Sequence, residues 1–232
     1  MEIAVVAYYA TGLISQISIM LDFKQEQKLF KQGYKLVAGI DEAGRGPLAG
    51  PVVAACAVCG FNFKITNEKL NLIKDSKKLT AKRREELFKV IQEEFSEVGI
   101  GICGHETIDR INILQATFLA MKKAIGELKQ KPDFIMLDGK FKIPNCSYLQ
   151  EAIIKGDEII FSIAAASIIA KVARDRIMLQ MHKLYPDYGF NQHKGYGTKL
   201  HLEQLKKHGP CPIHRMSFKP LSRNMECITR NA

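Results

Sequence analysis

Apolar residues in this chain recur with spacings that change along its length. From Leu21 the run LDFKQEQKLFKQGYK sets Phe23 and Phe30 two helical turns apart on one face, with Gly33 as a stop, which predicts a short amphipathic helix. LVAGID (36–41) and VVAACAVC (52–59) are β-rich apolar runs, separated by AGRGPLAGP, whose glycines and prolines mark a specialised loop. Beyond a polar stretch, Thr80 is placed to cap a helix that runs on through Phe88 and Ile91. VGIGICG (98–104) predicts a third strand, INILQATFLAMKKAIGELK (111–129) a long amphipathic helix, and PDFIMLDG (132–139) a strand with Asp138 at its carboxyl end. EAIIKGD (151–157) predicts another strand, ending near Asp157. SIAAASIIAKVARDRIMLQMHKLYP (162–186) is strongly helical up to Pro186, and TKLHLEQLKKHG (198–209) is a further helix closed by Gly209. Strands first, then alternating helix and strand, then helices predict an α/β fold with a helical C-terminal part. No internal repeat or low-complexity segment interrupts it.

The first twenty residues, MEIAVVAYYATGLISQISIM, fit this pattern least. They are moderately apolar with one charge at Glu2, yet they have no basic n-region, and Thr11, Ser15, Gln16 and Ser18 dilute the apolar stretch. Residues 1–20 are therefore expected to be a disordered extension, or a stretch upstream of a start at Met20, rather than a signal peptide or a membrane span.

Composition narrows the function classes. Of 232 residues, 47% are hydrophobic and 25% charged, which describes a globular chain and excludes disorder throughout. Lysine and arginine number 34 against 24 acids, a net charge of +10, which favours an anionic partner, nucleic acid first. The basic runs 74–78, 82–84 and 206–208 are scattered, which suits a basic face more than an arm. Six cysteines without tight framework spacing predict reduced thiols and no disulfides, hence a cytoplasmic location. Cys56 and Cys59 form a C-x-x-C inside an apolar run with no second pair, so they are expected to be buried strand residues rather than zinc ligands.

Acids recur where strands are predicted to end: Asp41 with Glu42, Asp138 and Asp157. Ligand sites of α/β sheets gather at strand termini, although each acid taken singly is better read as a cap or loop carboxylate. Adjacent strand residues point to opposite faces, so Asp41 and Glu42 serve one site only if the strand ends there or the site straddles an edge. Converging carboxylates repel, and divalent cations are the natural compensation. Hard oxygen ligands select Mg²⁺ or Mn²⁺, and two such ions about 3.5–4 Å apart activate water and stabilise the leaving oxygen of a phosphodiester. The loop from Gly44 to Gly50 matches neither the G-x-x-x-x-G-K-[ST] phosphate loop nor the dinucleotide fingerprint.

In order along the chain, LVAGIDEAGRGPLAGPVVAA, DSKKL (75–79), LDG (137–139), KGD (155–157), SIAAASIIAKVARD (162–175) and HKGYGT (193–198) resemble the motifs of the bacterial ribonuclease HII family. The resemblance covers Leu21 to about Met216 and implies a ribonuclease H-like fold, a mixed central sheet flanked by helices, with a C-terminal helical extension. Residues 21–216 would form the catalytic domain and 217–232 a tail. By the same resemblance Asp41, Glu42, Asp138 and Asp157 are the metal-binding catalytic carboxylates, with Asp41 bridging two Mg²⁺ or Mn²⁺ ions. It also implies that Gly44, Arg45 and Gly46 contact the 2′-hydroxyl of a ribonucleotide. Tyr196 would stack on the following deoxyribose, and Lys77 would contact a phosphate. His193 is not assigned as a general base, and Arg174 and Asp175 are read as structural.

The activity so implied is hydrolysis of the RNA strand of RNA–DNA hybrids and of the bond 5′ to ribonucleotides embedded in DNA, by a monomer whose partner is nucleic acid. Three other readings compete. A non-catalytic nucleic-acid-binding module would have no need of carboxylates near phosphates, and another nuclease or transposase of the same broad fold would lack a ribose-reading loop. A type HIII-like enzyme, acting mainly on long hybrids, would lack the arginine of the glycine loop.

Overall fold

The computed structural model describes residues 23–73 and 79–222. Residues 1–20, Lys77 and most of the 217–232 tail lie outside the described residues, so the expectations placed on them stay expectations.

A five-stranded sheet runs in the order β3-β2-β1-β4-β5. It is built from β1 (Leu36–Ala43), β2 (Val52–Gly60), β3 (Glu97–Cys103), β4 (Phe134–Asp138) and β5 (Leu149–Ile153). The first three strands pair antiparallel, whereas β4 and β5 run parallel to β1, so the sheet is mixed. β2 reads as an unbroken apolar run because it is covered on both sides. Ala55, Ala57 and Cys59 face one core, while Val52, Ala54, Cys56 and Val58 face the other. The C-x-x-C cysteines are thus buried strand residues, and burial pushes both thiols up.

The helices α1 (Lys24–Lys31), α2 (Ala81–Glu94) and α5 (Phe161–Leu184) cover one face, and α3 (His105–Gly126) the other. Thr80 caps α2 by accepting a hydrogen bond from Arg83 N at 3.3 Å. α5 lacks a side-chain cap of its own, and instead the buried Glu26 of α1 accepts from Ser162 N at 2.8 Å. Small residues let helix backbones reach the sheet. A side chain at Gly39 of β1 would overlap the Ser162 backbone of α5, and one at Gly99 or Gly101 of β3 would overlap carbonyls of α3. The C-terminal part comprises the short α6 (Phe190–His193) and α7 (Lys199–His208), packed around Tyr188, Phe190 and a histidine cluster.

Three expected boundaries shift. Helix α3 starts at His105 rather than at 111: a first helical stretch precedes the expected one, the chain kinks at Asn112 (φ 67°), and Asn112 Oδ1 then caps the following turn through Leu114 N and Gln115 N. Strand β1 continues past Asp41 to Ala43, paired with Val53. The strand expected over 151–157 ends at Ile153, and Lys155 in the left-handed region (φ 58°) turns the chain into the single helical turn α4 (Gly156–Ile159).

Candidate active site

Ile40 of β1 stands beside Leu137 of β4, so Asp41 and Asp138 follow on neighbouring parallel strands. There β4 ends, while β1 runs on alone against β2. The overhang settles how two adjacent acids reach one site. Asp41 and Glu42 leave opposite faces of the strand, and beyond the end of β4 both faces open into the same cavity of about 270 Å³. Asp138 and Asp157 line it as well, together with Gly44, Arg45, Gly46, Ser167, Lys171 and Tyr196. Asp157 arrives from α4 rather than from a strand end, so that part of the expectation is corrected while its place in the cavity stands. The same turn joins two acids' surroundings, since Gly156 N donates to Asp138 Oδ1 at 2.7 Å.

Burial raises the Asp41 carboxyl well above the ordinary carboxylate range, reinforced by the charges of Glu42 and Asp138 and opposed by the Ser167 hydroxyl and the Glu42 N–H. That N–H donates to Asp41 Oδ1 at 2.7 Å. Glu42 is raised too, by burial first and by Asp138, against the pull of Arg45, whose guanidinium lies 3.1 Å from Glu42 Oε1. Its other oxygen, Oε2, is buried and has no hydrogen-bond partner among the described residues.

Buried carboxylates that repel one another cost free energy unless a cation joins them. An all-oxygen donor set with an orphaned buried carboxylate oxygen fits a hard divalent cation. Among the described residues no three His, Cys, Asp or Glu side chains are grouped closely enough to hold a metal ion by themselves. The cleft is therefore an open carboxylate-lined site, of the kind where water and substrate phosphate complete the coordination shell.

The remaining expected residues are met as follows. Gly46 and Tyr196 are neighbours, a Cβ built on Gly46 lying 3.7 Å from Tyr196 Cε1. Tyr196 is 45% exposed and so presents its ring at the cavity mouth. His193 is buried, its Nε2 donating to Tyr188 O at 2.7 Å while Nδ1 accepts from Gly195 N at 3.1 Å. With both ring nitrogens engaged and its pKa lowered by burial, it is a fixture of the fold. Asp175 pairs with Lys171 at 2.7 Å. Sequence reasoning passed over Ser167 and Lys171 as helix packing. They stand one turn apart on α5, and that i, i+4 spacing on a helix otherwise lined with alanines was the available signal.

A mixed sheet with helices on both faces and an acidic cleft where β1 outruns β4 defines the chain as an α/β protein of ribonuclease H-like fold. Residues 38–221 match the family model of ribonuclease HII. Ribonuclease HII of Acetivibrio thermocellus is 56% identical over 193 residues, 83% of this chain and 73% of that protein. That of Endomicrobium trichonymphae is 50% identical over 200 residues, 86% and 93% of the two chains. Among solved structures, ribonuclease H2 from Pyrococcus horikoshii OT3 superposes with a TM-score of 0.68 at 30% identity, covering 84% of this chain and 100% of that one. Bst-RNase HIII in complex with Mn²⁺ shares the fold, with a TM-score of 0.66 at 18% identity over 84% of this chain and 71% of that one. The chain belongs to the ribonuclease HII family and is an endoribonuclease. No helix among the described residues is long and apolar enough to cross a membrane.

Proposed function

We propose that the chain hydrolyses the RNA strand of RNA–DNA hybrids and cuts 5′ to ribonucleotides embedded in duplex DNA, leaving a 3′-hydroxyl and a 5′-phosphate. The observation that carries this reading is one cavity joining Asp41, Glu42, Asp138 and Asp157 to the Gly44–Gly46 loop and Tyr196. Carboxylates alone would serve any metal-dependent nuclease, and a loop of small residues beside an exposed ring adds a place to read a sugar.

Asp41, Glu42, Asp138 and Asp157 would hold the divalent ions, Mg²⁺ or Mn²⁺. Two such ions would supply an activated water and charge stabilisation for the leaving oxygen. Asp41 is suited to the shared position, since the charges of both Glu42 and Asp138 act on it. Arg45 holds Glu42 through Oε1 and leaves Oε2 for a metal. Gly44 to Gly46 would lie along the ribose, where the absence of side chains at the two glycines lets the backbone approach the 2′-hydroxyl. Tyr196 would stack on the next sugar. The scattered Lys and Arg, Lys77 among them, would grip phosphates without reading sequence, so binding should weaken as salt rises. The active unit is a monomer whose partner is nucleic acid.

The test is cleavage of a labelled DNA duplex holding one ribonucleotide, with Mg²⁺, with Mn²⁺ and with chelator. A metal-dependent cut 5′ to the ribonucleotide supports the proposal. Activity restricted to long hybrids points to a type HIII-like specificity, and binding without a cut under any metal overturns it.

A further inference from the structure

The loop from Gly44 to Pro51 contains two glycines at positive φ, Gly44 at 96° and Gly50 at 82°, and it lies outside both flanking strands. Such a segment has little of its own to keep it in one shape, and its carbonyls need partners once buried. Two arginines from distant elements supply them. Arg215, which is fully buried, donates from Nε to Gly50 O (2.9 Å), from Nη1 to Arg45 O (3.0 Å) and from Nη2 to Gly44 O (2.6 Å). Arg174 of α5, 1% exposed, donates from Nε to Pro51 O (3.0 Å) and from Nη2 to Ala49 O (3.1 Å). Backbone bonds add Arg215 N to Leu48 O (2.8 Å), Leu48 N to Gly195 O (2.8 Å) and Gly50 N to Ile213 O (2.9 Å).

Neither guanidinium forms a salt bridge among the described residues; the hydrogen bonds they donate go to backbone carbonyls, and Arg174 Nη1 has no hydrogen-bond partner there. That use of a buried charge is costly unless the geometry it enforces matters. The consequence is directional. With its carbonyls drawn inward, the loop leaves the N–H groups of Arg45 and Gly46 with no hydrogen bond among the described residues, in a segment that lines the cavity. Arg174 also lies beneath the ring of Tyr196, its Cζ 5.9 Å from the centroid, so one side chain touches both the loop and the ring.

We infer that Arg174 and Arg215 are positioning residues for substrate recognition: they clamp the carbonyls of residues 44–51 so that the Arg45 and Gly46 amides and the Tyr196 ring meet the ribonucleotide in fixed register. This rests on the reading of the loop and Tyr196 as the sugar-contacting elements. The clamp acts on recognition rather than on the metal-bearing carboxylates.

Two measurements on the full chain test it. The first compares Arg174→Lys and Arg215→Lys with the parent for binding, in chelator, to a duplex holding one ribonucleotide and to the all-DNA duplex, alongside kcat and KM for cleavage. Lysine keeps the charge but cannot span two or three carbonyls. The expected result is a loss of about tenfold or more in the preference for the ribonucleotide duplex, a rise in KM larger than the fall in kcat, and unchanged affinity for all-DNA duplex. Folded variants with the parent's preference and KM overturn the clamp. A parent that binds both duplexes equally and cuts neither would instead sink the proposed function.

The second needs no variant: amide hydrogen exchange of the parent. Leu48 and Gly50 should be protected and Arg45 and Gly46 fast, with the latter two slowed by the ribonucleotide duplex in chelator. Protection of Arg45 and Gly46 in the free chain, or equal rates at all four amides, overturns the inference even if neither variant folds.

Discussion

Gly39 of β1 and Ser162 of α5 are in backbone contact, so close that a side chain on Gly39 would overlap the Ser162 carbonyl carbon. Asp41 lies two residues further along the same face of β1, and Ser167, whose hydroxyl acts on that carboxylate, lies on the same helix. Strand and helix therefore set the depth of the carboxylate together. Gly39→Ala must push them apart, which should cost about 3 kcal/mol or more, at the upper end for overpacking because backbone has to move. Urea denaturation gives the stability change. A variant as stable as the parent would show that the two elements are not held at that distance.

Asp41→Asn removes a charge from a cluster in which burial and like charges already oppose ionisation. Without metal, the variant should be at least as stable as the parent, by roughly 1 kcal/mol, yet cleave about 10³-fold more slowly or worse. Adding Mg²⁺ or Mn²⁺ should raise the melting temperature of the parent and leave the variant nearly unmoved, since a ligand stabilises only the state that binds it. A parent indifferent to either ion would remove the metal site.

Tyr196→Ala takes away a half-exposed ring whose neighbour is Gly46. Cleavage at a single embedded ribonucleotide should fall about tenfold more than cleavage of a long hybrid, where many registers are available. Equal losses on both substrates would refute the stacking role.

The chain should be sensitive to mild acid through the histidine pair His201 and His214, whose Nε2 atoms are 3.0 Å apart. Cys211 N donates to His214 Nδ1 at 2.9 Å, with Cys211 O 3.1 Å from the same nitrogen, and His201 Nδ1 lies 2.9 Å from Tyr196 O, so the pair packs as two rings with room for one proton between their Nε2 atoms. Burial lowers each pKa to about 4. The unfolded chain binds protons on these rings near pH 6.5 and the folded chain does not, so stability is full above that pH and falls as pH drops toward 4. The loss should reach the order of 3 kcal/mol per ring at most, read as the slope of unfolding free energy between pH 7 and 4.5. His201→Gln should flatten that slope, and an unchanged slope would assign the acid sensitivity elsewhere.

Much of the architecture is written in local pattern. The apolar run of β2, the Thr80 cap and the alanine-rich stretch of α5 each state their element without reference to anything distant, because period and capping are short-range physics. The acidic residues and the glycine loop were also legible, as residue types whose chemistry is unusual at strand ends. What the pattern alone did not decide is how those residues meet. That β1 outruns β4, letting Asp41 and Glu42 share a cavity from opposite faces, depends on the register of two strands nearly a hundred residues apart. That Asp157 comes from a helical turn depends on one left-handed residue, Lys155. That Arg174 and Arg215 end on the same loop depends on three segments converging, and reading Arg174 as structural did not say which groups it donates to. Local sequence determined the elements and the chemical inventory, because each rests on contacts within a few residues. Only the tertiary structure decided the site, because its geometry is the sum of long-range register, close backbone packing and buried hydrogen bonds that no local spacing encodes.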